Sequence, residues 1–365
     1  MKTQLFRMSA LVLAAMMLIT ACGGATPTAG PTQTPVVMEV TRIVAGTPVV
    51  ETVIVTATPP PAEPEKPFRV AVVMPSSTTD AAFSQSMYEG LLAVQKEMGA
   101  DKMELVYSEG MFNVPDAAAA LRDYASQGYN LVIAHGSQYG TSLAQVAPDF
   151  SETSFAWGTS LDTFQAQGIS NVFAYQAEAQ QGGYVLGAIA ALMSQTGVIG
   201  ISGPVEAGDA KLYVDGFKAG ALAANPSATV NVSYTGSFSD VSLMAAAAET
   251  HIAAGADMLT GSSQSVVGAI GVAKDKGAFW FGTQWDQTAL APETVVASQV
   301  YDWTGIIKDM IASHKAGVLG GKSYTLTFKN GGLRIQYNDQ VTVPADAKAA
   351  ADAAIKNIED STIKP

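Results

Sequence analysis

Short apolar runs rich in β-branched residues alternate with longer amphipathic stretches from residue 68 to the end of the chain. The short runs predict ten strands, at 69–74, 103–107, 131–134, 154–157, 171–174, 198–201, 229–234, 258–260, 278–281 and 295–300. The longer stretches are rich in alanine and predict eight helices, at 81–98, 117–126, 178–193, 212–224, 242–254, 266–276, 303–316 and 345–359. Alternation this regular is typical of βαβ units on parallel sheets, so we predict an α/β fold.

The patterned part of the chain is too long for a single hydrophobic core, since one core rarely serves more than about 250–300 residues. We therefore expect two Rossmann-like lobes joined by a hinge. The first lobe would hold residues 67–173 with 295–320, and the second 174–294 with 321–365. Open parallel sheets bind ligands beyond the carboxyl ends of their strands, so site residues should follow the strands directly.

Residues 22–66 have a different composition, rich in Thr, Pro, Val and Gly. The sequence Thr-Pro-Val-Val at 34–37 recurs at 47–50, and prolines cluster at 59–61 and 64. Proline cannot donate to a strand ladder and favours extended conformations. The Val-Thr runs have strand character but no evident amphipathic partner. We interpret the segment as a spacer, with an adhesive stalk as the alternative.

The first 21 residues have the pattern of a signal peptide. Lys2 and Arg7 form a positive start, and 11–19 is apolar but too short to span a bilayer. Small residues then precede Cys22, the only cysteine of the chain, which is the arrangement of a lipoprotein cleavage site. We expect cleavage before Cys22 and lipid attachment there, and hence anchoring to the outer face of the cell membrane. The alternative is a non-lipidated secretory signal with an incidental cysteine.

Charge and histidine content narrow the function classes. The formal charge is −12, and removal of Lys2 and Arg7 makes it −14, which disfavours nucleic acid as a partner. The three histidines, His135, His251 and His314, accompany no Gly-x-Ser-x-Gly motif and no metal-ligand spacing. We therefore expect a binding protein rather than an enzyme, with no cofactor and no metal.

Aromatic and uncharged polar residues follow four of the predicted strands, at 80–85, 236–240, 282–287 and 301–303. A cleft of this composition suits a planar, polar ligand, which aromatic faces stack on while carboxylates and amides bind its edge. The alternative for each aromatic residue is core packing. The candidate ligand contacts are Asp80, Phe83, Ser84, His135, Gly136, Phe238, Gln264, Gln284, Trp285, Asp286, Tyr301 and Trp303.

Four motifs resemble those of the basic-membrane-protein family, substrate-binding lipoproteins of ABC transporters for nucleosides and purine bases. Residues 80–90 (DAAFSQSMYEG) resemble its D-x-x-F-N-x-x-x-x-E-G motif, and 180–191 (QQGGYVLGAIAA) its Gly-x-Tyr-x-x-Gly helix. Residues 234–240 (YTGSFSD) and 282–287 (GTQWDQ) are similar to its G-S-F-x-D and G-x-D-x-D-Q segments. The resemblance covers the chain from about residue 68 to the C-terminus.

The resemblance implies a periplasmic-binding-protein fold whose lobes close on a purine. Phe83 and Phe238 would then sandwich the base, while Asp80 and Ser84 would contact its edge. Three positions depart from the nucleoside-binding pattern. Gln284 stands in place of an aspartate suited to ribose, Tyr301 in place of a lysine, and 262–265 (SSQS) in place of a glycine-rich turn. We therefore expect a free base such as adenine to bind better than its nucleoside.

The expected partners are a small purine-like ligand, an ABC permease and, through the lipid, the membrane, with the protein acting as a monomer. A sensory lipoprotein that presents a ligand to a membrane receptor is the rival function. A nucleoside hydrolase is a third alternative, which the missing aspartate cluster disfavours.

Overall fold

The structure, a computed structural model, describes residues 36–44, 47–55 and 66–365. The expected signal peptide and Cys22 lie outside these residues. Among the described helices, none is both long and apolar enough to cross a bilayer.

The spacer contains a two-stranded antiparallel sheet of its own, formed by β1 (Val36–Val44) and β2 (Thr47–Val55). The register pairs Val36 with Val55 and Val44 with Thr47. The sequence offers no evident amphipathic partner for these Val-Thr runs, whereas in the structure they pair with each other. The near-repeat supplies two strand-length runs separated in sequence by two residues, a spacing that favours a hairpin.

Residues 66–365 contain the remaining strands, and these form the body of the protein. They are β3 (Phe68–Val73), β4 (Met103–Ser108), β5 (Leu131–His135), β6 (Ser154–Gly158), β7 (Val172–Ala177), β8 (Val198–Gly203), β9 (Thr229–Tyr234), β10 (Met258–Gly261), β11 (Phe279–Gln284), β12 (Val295–Tyr301), β13 (Ser323–Leu326) and β14 (Leu333–Tyr337).

Helices alternate with these strands and cover the sheets. They are α1 (Phe83–Met98), α2 (Val114–Ser126), α3 (Gly140–Val146), α4 (Ala179–Met193), α5 (Gly208–Ala224), α6 (Val241–Ala253), α7 (Val266–Lys276), α8 (Thr304–Lys315) and α9 (Ala345–Glu359). All ten predicted strands and all eight predicted helices are present, with ends shifted by a few residues.

The strands form two six-stranded sheets, one in each lobe. The first sheet has the order β13-β7-β6-β5-β3-β4, and all its neighbouring pairs are parallel. The second has the order β14-β12-β11-β10-β8-β9, with only β14 antiparallel to its neighbour. Central strands such as β5 and β12 are buried along their whole length, as continuous apolar runs in parallel sheets require. The predicted α/β fold with two parallel-sheet lobes is confirmed.

Two strands lie in a different lobe from the one expected. β12 belongs to the second sheet, although 295–320 was assigned to the first lobe, and β13 belongs to the first sheet, although 321–365 was assigned to the second. β12 pairs directly with β11, so the chain returns to the first lobe only after Tyr301. Helix α8 then packs against α1 of the first lobe, and β13 pairs with β7.

Helices α4 and α5 of the second lobe pack with their backbones in close contact. A Cβ at Gly187 would lie 2.0 Å from the Phe217 carbonyl oxygen, and one at Gly220 would lie 1.9 Å from that of Tyr184. Only glycine permits this approach. The packing fixes the position of α5 relative to α4. The N-terminus of α5 is therefore held in place at the cleft between the lobes.

Candidate functional site

A cavity of about 280 Å³ lies between the lobes, where the carboxyl ends of the two sheets approach each other. Its lining residues follow strands in both lobes. Those of the first lobe are Pro75, Phe83, Phe112, Gly136, Ser137, Gln138 and Thr159, and those of the second are Val205, Ala207, Gly208, Asp209, Ala210, Phe238, Ser262, Ser263, Gln264 and Gln284. The volume is just below the range of about 300–1,000 Å³ for small-molecule pockets, so only a compact ligand fits it.

Phe83, the first residue of α1, lines the cavity, and another ring packs against one face of its phenyl ring. The His135 ring stacks on it at a centroid distance of 3.7 Å and an interplanar angle of 11°. His135 bonds to the Phe83 carbonyl oxygen through Nε2 at 3.0 Å and to the Tyr175 hydroxyl through Nδ1 at 2.8 Å. One face of the phenyl ring is therefore covered by protein, and the residue, which is only 5% exposed, contributes to the cavity wall.

His135 itself is fully buried beneath Phe83 and does not line the cavity. Burial lowers the pKa of His135 to about 3, so the ring is neutral at pH 7. A carbonyl oxygen only accepts, so Nε2 carries the proton and Nδ1 accepts from Tyr175. His135 therefore supports the site without touching its contents, and its neighbour Gly136 takes a place in the cavity wall.

Asp80 and Ser84, both predicted as ligand contacts, are not among the lining residues, and their side chains organise the turn that leads into α1. The Asp80 carboxylate accepts from the backbone N–H groups of Ala82, Ser84 and Gln85 at 2.8–3.1 Å, and from the Ser76 hydroxyl. Burial raises the pKa of Asp80, against the opposing effect of these hydrogen bonds. The Ser84 hydroxyl is fully buried and bonds to Ser76. The hydrogen bonds of both side chains are made within this turn.

The second lobe presents an aromatic ring and two amides to the cavity. Phe238 lies half-buried in the loop between β9 and α6, Gln264 follows β10, and Gln284 ends β11. The Oε1 atoms of Gln264 and Gln284 are buried and have no hydrogen-bond partner among the described residues. Gln284 also has a φ of +73°, an uncommon backbone conformation for a residue with a side chain.

Four other predicted contacts lie outside the cavity lining. Trp303 is fully buried beneath the site, where its Nε1 donates to Ser86 Oγ at 2.9 Å, and Tyr301 packs edge-on against it. Trp285 and Asp286 follow Gln284 but are not among the lining residues, and Asp286 accepts from the Thr288 N–H at 3.0 Å. Tyr301, predicted as a ligand contact, is not among the residues that line the cavity.

Sequence reasoning missed the carboxylate of the cavity, Asp209. It lies in the first turn of α5, which begins at Gly208 rather than at the predicted residue 212. Asp209 Oδ2 is buried and has no hydrogen-bond partner among the described residues. Although the residue as a whole is only half-buried, burial of the carboxylate raises its pKa to about 6.

Among the other lining residues that were not predicted as ligand contacts are Phe112 and Thr159. Phe112 follows β4 and is 37% exposed, and Thr159 follows β6. The rule that strand ends carry the site applies to both, so their positions gave a usable signal. Of the twelve candidate ligand contacts, the structure brings Phe83, Gly136, Phe238, Gln264 and Gln284 together around the cavity.

A hydrogen bond joins the lobes beside the cavity. Gln287 Nε2 donates across the cleft to the Ala81 carbonyl oxygen at 3.1 Å. The same amide accepts from Trp280 Nε1 at 2.8 Å through its oxygen, so the side chain is held on the second lobe and reaches the first. The described residues include no group of three or more His, Cys, Asp or Glu that would hold a metal ion.

The family model described as "ABC transporter substrate-binding protein PnrA-like" matches residues 68–364. Among curated relatives, the purine-binding protein of Brucella abortus (strain 2308) is 28% identical over 265 residues, which is 73% of each chain. Basic membrane protein A of Borreliella burgdorferi (strain ATCC 35210 / DSM 4680 / CIP 102532 / B31) is 28% identical over 272 residues, covering 72% of this chain and 77% of the relative.

Solved structures of similar fold include an ABC transporter solute-binding protein from Aeropyrum pernix K1. It superposes with a TM-score of 0.70 at 19% identity and covers 82% of this chain and 93% of its own. A solute-binding protein from Conexibacter woesei DSM 14684 has a TM-score of 0.66 at 23% identity, covering 81% and 98%. These likenesses confirm the periplasmic-binding-protein fold predicted from the motifs.

Proposed function

The chain belongs to the PnrA-like family of ABC transporter substrate-binding proteins, and on that premise we propose that it binds a purine base or a nucleoside-like ligand in the interlobe cavity. The observation that carries the proposal is the pair of aromatic rings, Phe83 from the first lobe and Phe238 from the second, which line one cavity. Aromatic faces stack on flat heterocycles, and amides and a carboxylate bind their polar edges. The name of the Brucella relative, a purine-binding protein, supports the same ligand class.

The composition of the cavity favours a neutral, flat ligand with several hydrogen-bonding groups. Three phenyl rings line it, and its polar groups are hydroxyls, amides and one carboxylate. No Lys or Arg is among its lining residues, so a phosphorylated ligand would bring negative charge without a matching cation. A base or a nucleoside therefore fits better than a nucleotide.

The ligand would reach a membrane permease from the extracytoplasmic side, with the protein held there by lipid on Cys22. The signal-peptide pattern that ends at Cys22 supports this part of the proposal. Metabolic labelling with a fatty acid should mark the wild type and leave Cys22→Ser unlabelled. Equal labelling of both would contradict the anchor and leave the ligand proposal unaffected.

Ligand identification is the direct test of the function. The protein is purified without denaturant, its bound small molecules are extracted, and their masses are measured. Calorimetry then compares adenine, guanine, adenosine and guanosine with ribose. We expect a purine compound among the extracted molecules and binding of at least one purine. Extracts without purine, together with no heat of binding for any of the four, would overturn the proposal.

A further inference from the structure

Unpaired acceptor atoms are concentrated around the cavity. Among the described residues, five buried side-chain oxygens have no hydrogen-bond partner, and three of them belong to residues that line it: Asp209 Oδ2, Gln264 Oε1 and Gln284 Oε1. All three residues belong to the second lobe. Buried polar atoms without a partner are rare in native proteins and mark places where another molecule completes the bonding.

Asp209 differs from the two amides because an ionised carboxylate only accepts hydrogen bonds. An amide can rotate to exchange its oxygen and nitrogen, whereas Asp209 offers acceptors in every orientation. Asp209 is the second residue of α5 and lines the cavity, and its Oδ2 has no hydrogen-bond partner among the described residues. The close packing of α5 on α4 keeps this geometry fixed.

Gln284 stands where nucleoside binders of the family carry an aspartate, and Asp209 supplies a carboxylate from another element of the same lobe. Asp209 interacts electrostatically with Tyr301 at the end of β12, and both Asp209 and Gln284 line the cavity. The second lobe therefore has a carboxylate after all, supplied by the N-terminus of α5 instead of by the end of β11. An acceptor-only group here favours a ligand that presents a hydrogen-bond donor to the second lobe.

We propose that Asp209 is a specificity-determining residue whose Oδ2 accepts a hydrogen bond from a ring N–H or a sugar hydroxyl of the bound ligand. The inference rests on the proposed function and specifies that the second lobe accepts the hydrogen bond from the ligand. The donor is either a ring N–H of a free base or a hydroxyl of a sugar. A ligand that lacks the donor leaves Asp209 unpaired in a buried site and binds more weakly, because an unmade buried hydrogen bond is penalised.

The test is calorimetry on Asp209→Asn, which keeps the shape of the side chain and removes its charge. Asp215→Asn is the matched control, since Asp215 lies on the same helix, is exposed, and pairs with Lys211 at 2.6 Å. Adenine against 9-methyladenine tests a ring N–H, and adenosine against 2′,3′-dideoxyadenosine tests sugar hydroxyls. Circular dichroism and thermal unfolding establish that each variant is folded.

We expect Asp209→Asn to bind the donor-bearing ligand of one pair about ten- to a hundred-fold more weakly than the wild type, the range of a charge-assisted bond. The ligand without the donor should bind both proteins equally, and Asp215→Asn should match the wild type. The pair that shows the difference identifies the source of the donor.

Equal affinities of the wild type and Asp209→Asn for every ligand that binds would overturn this inference and leave the proposed function standing. Absence of purine binding by the wild type would overturn both. If Asp209→Asn failed to fold, the inference would rest on the wild type alone. It would then require the donor-bearing member of one pair to bind at least ten-fold more tightly, and equal binding within both pairs would contradict it.

Discussion

Burial sets the charge state of the ionisable side chains around the cavity. His135 is neutral because burial lowers its pKa, and its neutral tautomer can donate to the Phe83 carbonyl oxygen while it accepts from Tyr175. The pKa of Asp209 shifts in the opposite direction: burial disfavours the ionised carboxylate and therefore raises its pKa. Each shift makes the stability of the ligand-free protein depend on pH in a direction that can be measured.

Asp209 should make the ligand-free protein less stable as the pH rises from about 4 to above 6. Its folded pKa, about 6, is above its ordinary value of 3.8, so its stabilising contribution is complete below the lower value and is lost through the higher one. The loss is at most about 3 kcal/mol. Tyr301, the neighbour that interacts with it, stays neutral here because burial raises its pKa well above the ordinary value.

Urea unfolding of the wild type and Asp209→Asn across this pH range measures the effect. The variant should gain stability relative to the wild type as the pH rises, because it has no charge to bury. His135, His251 and His314 have lowered pKa values and act with the opposite sign, but they are common to both proteins and cancel in the difference. A difference that is constant with pH would contradict the assignment.

For individual residues, the sequence indicated which side chains lie near the site better than it indicated what each of them does. It indicated His135 because the histidine ends β5, but it could not show that Phe83 covers the ring. It missed Asp209 because the predicted start of α5 was four residues late, which left Asp209 in a loop of unknown position. Both errors concern tertiary packing and helix ends, which local periodicity determines poorly.

Between elements, the contact of α4 with α5 positions the second-lobe side of the cavity. The motif at 180–191 was read as a family resemblance, and the structure supplies its physical reason. Gly183 and Gly187 allow α5 to approach, and Gly216 and Gly220 do the same for α4. A side chain at any of these positions would move the N-terminus of α5, and with it Asp209.

Gly220→Ala should destabilise the protein by about 1–3 kcal/mol, the usual penalty for overpacking. The added Cβ would lie 1.9 Å from the Tyr184 carbonyl oxygen, which is backbone and cannot move aside. Gly271→Ala in α7 is the matched control, because a Cβ there meets nothing within 4 Å. It should stabilise the helix by up to about 1 kcal/mol. Urea denaturation distinguishes the two, and similar effects of both substitutions would contradict the packing account.

The elements that sequence reasoning missed share a physical cause. β13 and β14 are edge strands of four and five residues with few buried positions, so their apolar signal is weak. Helix α3 has only seven residues, too few for a helical period to stand out. The central strands were predicted because burial on both faces requires continuous apolar runs.

For the whole molecule, the two lobes form a clamp around a small cavity. The chain passes between lobes after β7, after β12 and after β13, and the bond from Gln287 to Ala81 ties the lobes together beside the site. The sequence predicted two lobes from the length of the patterned region, and strand-end site residues from parallel-sheet topology. It did not predict which lobe holds β12, because strand order depends on pairing between segments distant in sequence.

The central claim is that a flat ligand stacks on Phe238 in this cavity, and calorimetry on Phe238→Ala tests it most directly. Phe238 is only half-buried, so its removal disturbs the fold less than that of Phe83, which packs on His135. Trp285→Ala is the matched control, a half-buried aromatic that follows a second-lobe strand outside the cavity lining.

With the purine that binds the wild type most tightly, Phe238→Ala should raise the Kd about five- to a hundred-fold, as loss of one stacked base predicts. Trp285→Ala should leave it unchanged. Wild-type affinity in Phe238→Ala would contradict the account, whatever the affinity of Trp285→Ala.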